Sequence, residues 1–229
     1  YSAKKPVVDR MLEALPGTLM LAGTALVFTL LYALPAGIIS ALNRNKWIDY
    51  LLRSASFVGV SMPSFWLGLV LIYIFGLKLG LVPIATSRVT PIGVILPAVT
   101  LAVVVGSKYM RQVRLVILEE MEKDYVIGAR ARGVSETKIL FGHILPNAVL
   151  PLITILGVLM GWLLGGVAVV EMVFSWPGLG NMAVYAITMR DYPLIEGFVL
   201  WVALAYMCIN ALIDASYILL DPRLKRERA

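Results

Sequence analysis

Residues able to carry out chemistry are few in this chain and widely spread. It holds one histidine, one cysteine, fourteen acids and twenty Lys or Arg in 229 residues. Acid–base or covalent catalysis needs a nucleophile within reach of a base, or converging carboxylates, and a metal centre needs Cys, His or acid ligands at set spacings. His143 has apolar neighbours and reads as an interfacial structural residue, Cys208 is alone, and no P-loop, paired-carboxylate or Cys/His pattern occurs. Two other placements stand out. Lys108 and Asp214 fall within apolar stretches, where an ionisable group costs about 2.5–3.5 kcal/mol on membrane-insertion scales. They read either as a buried ion pair, or as a lysine snorkelling to the interface and an aspartate anchoring a hydrogen-bond network. The second placement is a charged run, Glu119 to Lys138, set between long apolar segments.

The elements that would position these residues follow from composition. Hydrophobic residues make up 60% of the chain and charged ones 15%, with a mean hydropathy of +0.87. Soluble domains hold roughly 45–50% and 25% respectively, so a water-soluble monomer could not bury this much apolar surface. A bilayer core about 30 Å thick needs roughly 20 apolar residues in a helix. Gly17 to Leu42, Ser54 to Leu77, Val89 to Ser107 and Ile144 to Val170 contain no charge, and Gly197 to Ile213 is apolar too. The expected fold is all-α, a polytopic transmembrane bundle with spans at about 17–42, 54–77, 89–118, 144–170 and 194–220. Pro35, Pro63, Pro97 and Pro151 lie within them, and kinks are expected there.

Lys and Arg concentrate in the link after the first span, in the link 119–143 with the residues just before it, and in the tail 221–229. The positive-inside rule places these in the cytoplasm, with a lead-in 1–16 and a segment 171–193 outside. The net charge of +6 is then topological, with no nucleic-acid partner implied. An odd number of spans and an external amino end lead to the expectation that at least one further helix precedes this sequence in the natural protein.

The link has legible physics. Asp124 suits a helix N-terminus and Gly133 a left-handed stop, giving about two turns across Tyr125 to Arg132. Gly128, Ala129 and Ala131 would allow close approach to a partner groove, with Arg130 and Arg132 at its rim. A helix lying on lipid headgroups is the alternative. Ser135 and Glu136 can start the next helix, which enters the membrane at Leu145 and Pro146. Outside, Ser175, Trp176, Pro177, Gly178, Leu179 and Gly180 form a tight turn whose tryptophan suits a membrane interface. It reads as a re-entrant scoop or gate, or as an interfacial packing loop. Met182, Tyr185, Ile187, Met189 and Tyr192 follow it. Gly157, Gly161 and Gly165, at four-residue spacing with Gly166 beside them, admit a close helix, either along a pathway or at a dimer seam.

At these positions the link resembles the EAA loop of ABC-transporter permeases. Ala129, Gly133, Leu145 and Pro146 fall in register with that pattern, while Ile127, Gly128 and His143 depart from it. The segment VVEMVFSWPGLGNMAVYAITMRDYPLIEG and the stretch at residues 61–84 are similar to the peptide and nickel importer branch, first-subunit type. The resemblance implies a type I importer permease, with five of six expected helices here. It further implies a homologous second permease, two cytoplasmic ATPases that hold ATP and magnesium, and an external solute-binding protein. This chain would carry no cofactor and perform no hydrolysis. It would sit in a prokaryotic inner membrane and pass peptides, nickel chelates or similar small solutes, with residues 124–135 as the coupling helix. An ion-coupled secondary carrier is the alternative, and it should show paired intramembrane charges and repeat halves.

Overall fold

The computed structural model describes residues 5–84 and 88–220. Among these the structure is helical, with no strand. Helix α1, Val7–Leu42, follows Pro6 and ends where the Asn43 side chain donates to the Ile39 carbonyl. Its 36 residues rise about 54 Å, beyond the thickness of a bilayer core. Most of the expected lead-in is therefore the beginning of this helix.

Helix α2, Trp47–Ser61, and helix α3, Ser64–Leu71, occupy the expected second span, and α3 runs on through a π-type segment, Ile72–Lys78. They are not one rod. Pro63 has no N–H to continue α2 and forces Met62 into an extended conformation, and the two axes diverge by 100°. The other prolines behave differently. Pro35 and Pro151 lie inside continuous helices, and Pro97 sits in the first turn of α4, Ile95–Met121, where its missing N–H has no intrahelical partner to lose.

Two short helices, α5 (Asp124–Ala131) and α6 (Glu136–Ile139), lead through a π-type turn, Leu140–Ile144, into α7, Leu145–Gly166. Helices α8, Ala168–Val173, and α9, Leu179–Met189, flank the expected scoop, and α10 is Tyr192–Leu220. The expected tail, 221–229, lies outside the described residues.

Among the described residues three helical stretches are long and apolar enough to cross a membrane, Val7–Leu42, Glu136–Leu163 and Tyr192–Ser216, and the bent pair, counted as one span, makes a fourth. Length and composition do not single out α4, which carries Lys108, Arg111 and Arg114. It is instead the centre of the bundle, packed against α1, α2, α3 and α7. Two cores lie along it. One joins Tyr109, Met110 and Val113 to Val126, Ala129, Ile139 and Ile144; the other joins Leu101 and Val105 to Leu21, Phe174 and Trp176. Large apolar residues such as Leu31, Phe57 and Leu212 face outward, as suits a chain whose solvent is lipid.

Candidate functional site

The segment from Glu120 to Glu136 is held to the bundle at both ends. Glu120, nearly buried at the end of α4, accepts hydrogen bonds from Lys123 and from the Tyr125 hydroxyl. Burial first, and that hydrogen bond second, push the Tyr125 phenol up to about 12, so it remains a donor at neutral pH. Val126 and Ala129 are buried in the core that α4 shares with α7. One turn apart, they fix which face α5 turns inward. The outward face carries Asp124, Ile127, Gly128 and Ala131, at the i, i+3, i+4, i+7 spacing of a helical stripe, and Ile127 is 54% exposed.

Asp124 is the first residue of α5 and not its cap. Lys123 holds the cap position, and no side chain bonds to the free amides, so Asp124 acts through the helix dipole alone. The far end follows the sequence closely. Gly133 has φ +78°, its N–H reaches the Arg130 carbonyl at 2.9 Å and the Val134 N–H reaches Ala129 at 3.2 Å, which together make a Schellman stop. Arg130 does not project freely from a rim. Its guanidinium binds both oxygens of Glu136 at 2.7 and 3.0 Å, bracing α5 against α6. Arg132 and Ser135 are exposed. Leu145 and Pro146 open α7, where Pro146 needs no N–H partner.

At the opposite end of the bundle the turn at Ser175 to Gly180 faces inward. Trp176 is fully buried and donates its indole N–H to the Gly17 carbonyl of α1 at 2.9 Å, so it is a packing anchor rather than an interfacial belt residue. Ser175 takes φ +51°, Pro177 is half-buried, and Gly178, Leu179 and Gly180 are buried at the start of α9. A Cβ on Gly178 would overlap the Glu171 carboxylate, 2.1 Å from Oε1. Glu171 is itself fully buried; Oε1 accepts from the Thr18 hydroxyl at 2.7 Å and Oε2 from the Asn181 amide at 2.9 Å. Burial pushes this carboxyl up, and the bonds from Thr18, Asn181 and Gly180 oppose that shift. The large apolar residues exposed on α9 and just beyond it are Tyr185, Ile187, Met189 and Tyr192.

Lys108 and Asp214 do not pair. The Lys108 ammonium lies 4.8 Å from the ring centroid of Trp162 on α7, Asp214 is exposed on α10, and no ion pair joins them among the described residues. The α7 glycines meet α10 within this chain. A Cβ on Gly157 would reach Ile213 and one on Gly161 the Tyr206 ring, both inside 2.5 Å, so that part of the stripe packs neither along a pathway nor at a seam between chains.

Residues 33–226 match the family of binding-protein-dependent transport system inner membrane components. The chain belongs to that family. It is 38% identical over 223 residues to the glutathione transport system permease protein GsiC of Escherichia coli, covering 97% of this chain and 72% of that one. The GsiC of Shigella boydii is 37% identical over the same lengths. In fold it resembles the MetNI methionine ABC transporter in inward-facing form, at a TM-score of 0.79, 18% identity and coverage of 96% of this chain and 100% of that one. It also resembles an amino acid ABC transporter with histidines, at 0.67 and 18%, over 91% and 92%. As an inner membrane component of this family the chain is a permease subunit of an ABC importer, not an enzyme.

In this permease two buried acids escape a reading by sequence alone. Besides Glu171 there is Asp49, fully buried at the start of α2. It takes Arg114 Nε and Nη2 at 2.8 Å each, the Ser40 hydroxyl at 2.6 Å and the Asn45 amide at 3.0 Å. This clamps the α1–α2 link to α4. For Glu171 the available signal was one acid among Val169, Val170, Met172 and Val173; Asp49, in a charged link, gave none.

Proposed function

We propose that this permease forms half of the translocation pathway of an ATP-driven importer of peptides or similar small solutes, and that α5 is the part gripped by a cytoplasmic ATPase. The observation that carries this reading is α5 itself. It is a two-turn helix with Val126 and Ala129 locked into the bundle, an outward stripe of Asp124, Ile127, Gly128 and Ala131, and a glycine stop that leaves its far end compact. A push on such a helix moves α4 and α7 with it, because its inward face shares their core.

The partners in this reading are a homologous second permease, two ATPases holding ATP and magnesium, and an external solute-binding protein; this chain itself holds no cofactor. The Lys and Arg residues between 123 and 138 and those in the tail support a cytoplasmic α5 and a cytoplasmic carboxyl end. The turn at Ser175 to Gly180 then lies at the extracytoplasmic end, with Tyr185 and its neighbours offered to the binding protein. The GsiC relatives support a peptide-type solute such as glutathione.

Reconstitution of the assembled complex with the binding protein tests the reading. Uptake of a tripeptide should need ATP inside the α5 side and stop when ATP is withheld. Uptake that follows an imposed proton gradient without ATP would overturn it in favour of an ion-coupled carrier.

A further inference from the structure

Helix α4 presents a line of side chains to open space between α2 and α7: Lys108, Arg111, Gln112 and Leu115, at i, i+3, i+4 and i+7. Two clefts adjoin this ridge. One, about 640 Å³, lies against Thr154, Ile155, Val158 and Leu159 of α7, and the other, about 560 Å³, lies against Arg53, Phe57 and Val58 of α2. Arg111 and Leu115 line both. Volumes of that order, with apolar walls and a few convergent polar groups, suit a small molecule.

Two of the cations here, Lys108 and Arg111, are not paired with acids among the described residues. Asp49 is taken by Arg114, Ser40 and Asn45, and Glu120 by Lys123 and Tyr125. Lys108 rests on the Trp162 ring, and Arg111 has no carboxylate partner among the described residues. Arg111 lies ten residues before the end of α4 and Lys108 thirteen, which is about 15–20 Å along the axis. A cation that faces an apolar-walled cleft without a carboxylate partner is costly, and its retention points to an anion that comes and goes.

We infer that Lys108 and Arg111 form an anion-binding site in the translocation pathway that receives a carboxylate of the transported peptide. This deepens the proposed function and rests on it. Arg111 offers a planar two-donor fork matched to a carboxylate, Lys108 a point charge one turn away, and Ile155, Val158 and Leu159 an apolar wall for side chains. A carboxylate on an anionic solute and a phosphate on a lipid share this chemistry, so the experiment must separate them.

The test uses the full complex with its binding protein in vesicles, measuring ATP-dependent uptake of a tripeptide and of its C-terminal amide. The binding protein's own preference is common to all variants and cancels when a variant's ratio of the two rates is divided by the wild type's. Arg111→Gln and Lys108→Met should each lower that ratio about tenfold, the scale of one charge-assisted hydrogen bond, and Arg111→Lys should restore part of it. The same ratios should appear in purely phosphatidylcholine vesicles and in vesicles containing phosphatidylglycerol.

An unchanged ratio, or an equal loss for acid and amide, would overturn the inference while leaving the importer reading intact. So would a defect confined to vesicles with phosphatidylglycerol, which assigns the site to a lipid headgroup. Loss of the second permease from purified Arg111→Gln complexes would also overturn it, assigning the charge to the seam between chains. A wild-type complex with no ATP-dependent peptide uptake would overturn the reading and the inference together.

Discussion

Thr18 and Glu171, 153 residues apart in the chain, share a 2.7 Å hydrogen bond in the buried junction between α1 and the turn that precedes α9. The Thr18 oxygen also accepts the Leu179 amide at 2.8 Å, so one hydroxyl serves both a carboxylate and a helix N-terminus. Thr18→Val keeps the shape and removes both bonds, leaving the buried Leu179 amide unpaired at about 1–3 kcal/mol and Glu171 short of one of its donors. The expected result is a clear fall in melting temperature of the detergent-purified protein. An unchanged midpoint would show that water or rearrangement satisfies those groups.

Asp49 and Arg114 make a second long-range tie, and it carries charge. Asp49→Ala leaves a guanidinium that is only 13% exposed without its partner, a loss of about 3–5 kcal/mol. The double variant Asp49→Leu with Arg114→Met should lose less than Asp49→Ala alone, because it buries no orphan charge. Denaturant unfolding of the three proteins orders them, and the reverse order would refute the clamp.

Gly133 has open space around its α-carbon, so any effect of substitution there is conformational and not steric. A β-branched residue at φ +78° pays about 1–2 kcal/mol or more for left-handed backbone, and asparagine less. Gly133→Val should therefore weaken co-purification of the ATPase from well-expressed membranes, and Gly133→Asn should retain most of it. Equal recovery with both would count against α5 as the docking helix.

Arg130 and Arg132 separate into two roles. Arg130 is a strut to Glu136, an exposed pair worth at most about 1 kcal/mol, and the exchange Arg130→Glu with Glu136→Arg should restore whatever Arg130→Glu loses. Arg132→Glu should leave thermal stability alone and lower solute-stimulated hydrolysis and uptake. Normal uptake in Arg132→Glu proteoliposomes would remove that residue from the coupling surface.

Gly161 abuts the ring of Tyr206, so Gly161→Val should force α7 and α10 apart and destabilise the protein. Adding Tyr206→Ala should recover part of the loss, since contacting residues couple by about 0.5–3 kcal/mol. Strictly additive losses in the pair of variants would place α10 elsewhere.

What the sequence determined by itself was whatever depends on near neighbours. Apolar runs of bilayer length made helices, since a helix satisfies its own backbone in lipid. The stop at Gly133 was legible because its bonds reach back only to Arg130 and Ala129. The tertiary structure decided what depends on residues far along the chain. Pro63 breaks its span by 100° while Pro35 and Pro151 are carried through, a difference that the residue type alone does not state. Trp176 turned inward because Gly17 offers it a carbonyl, Lys108 met Trp162 and not Asp214, and Asp49 and Glu171 became buried acids because Arg114 and Thr18 arrive from other helices. A local pattern states what a side chain can bond to, and only packing states which partner is within 3 Å.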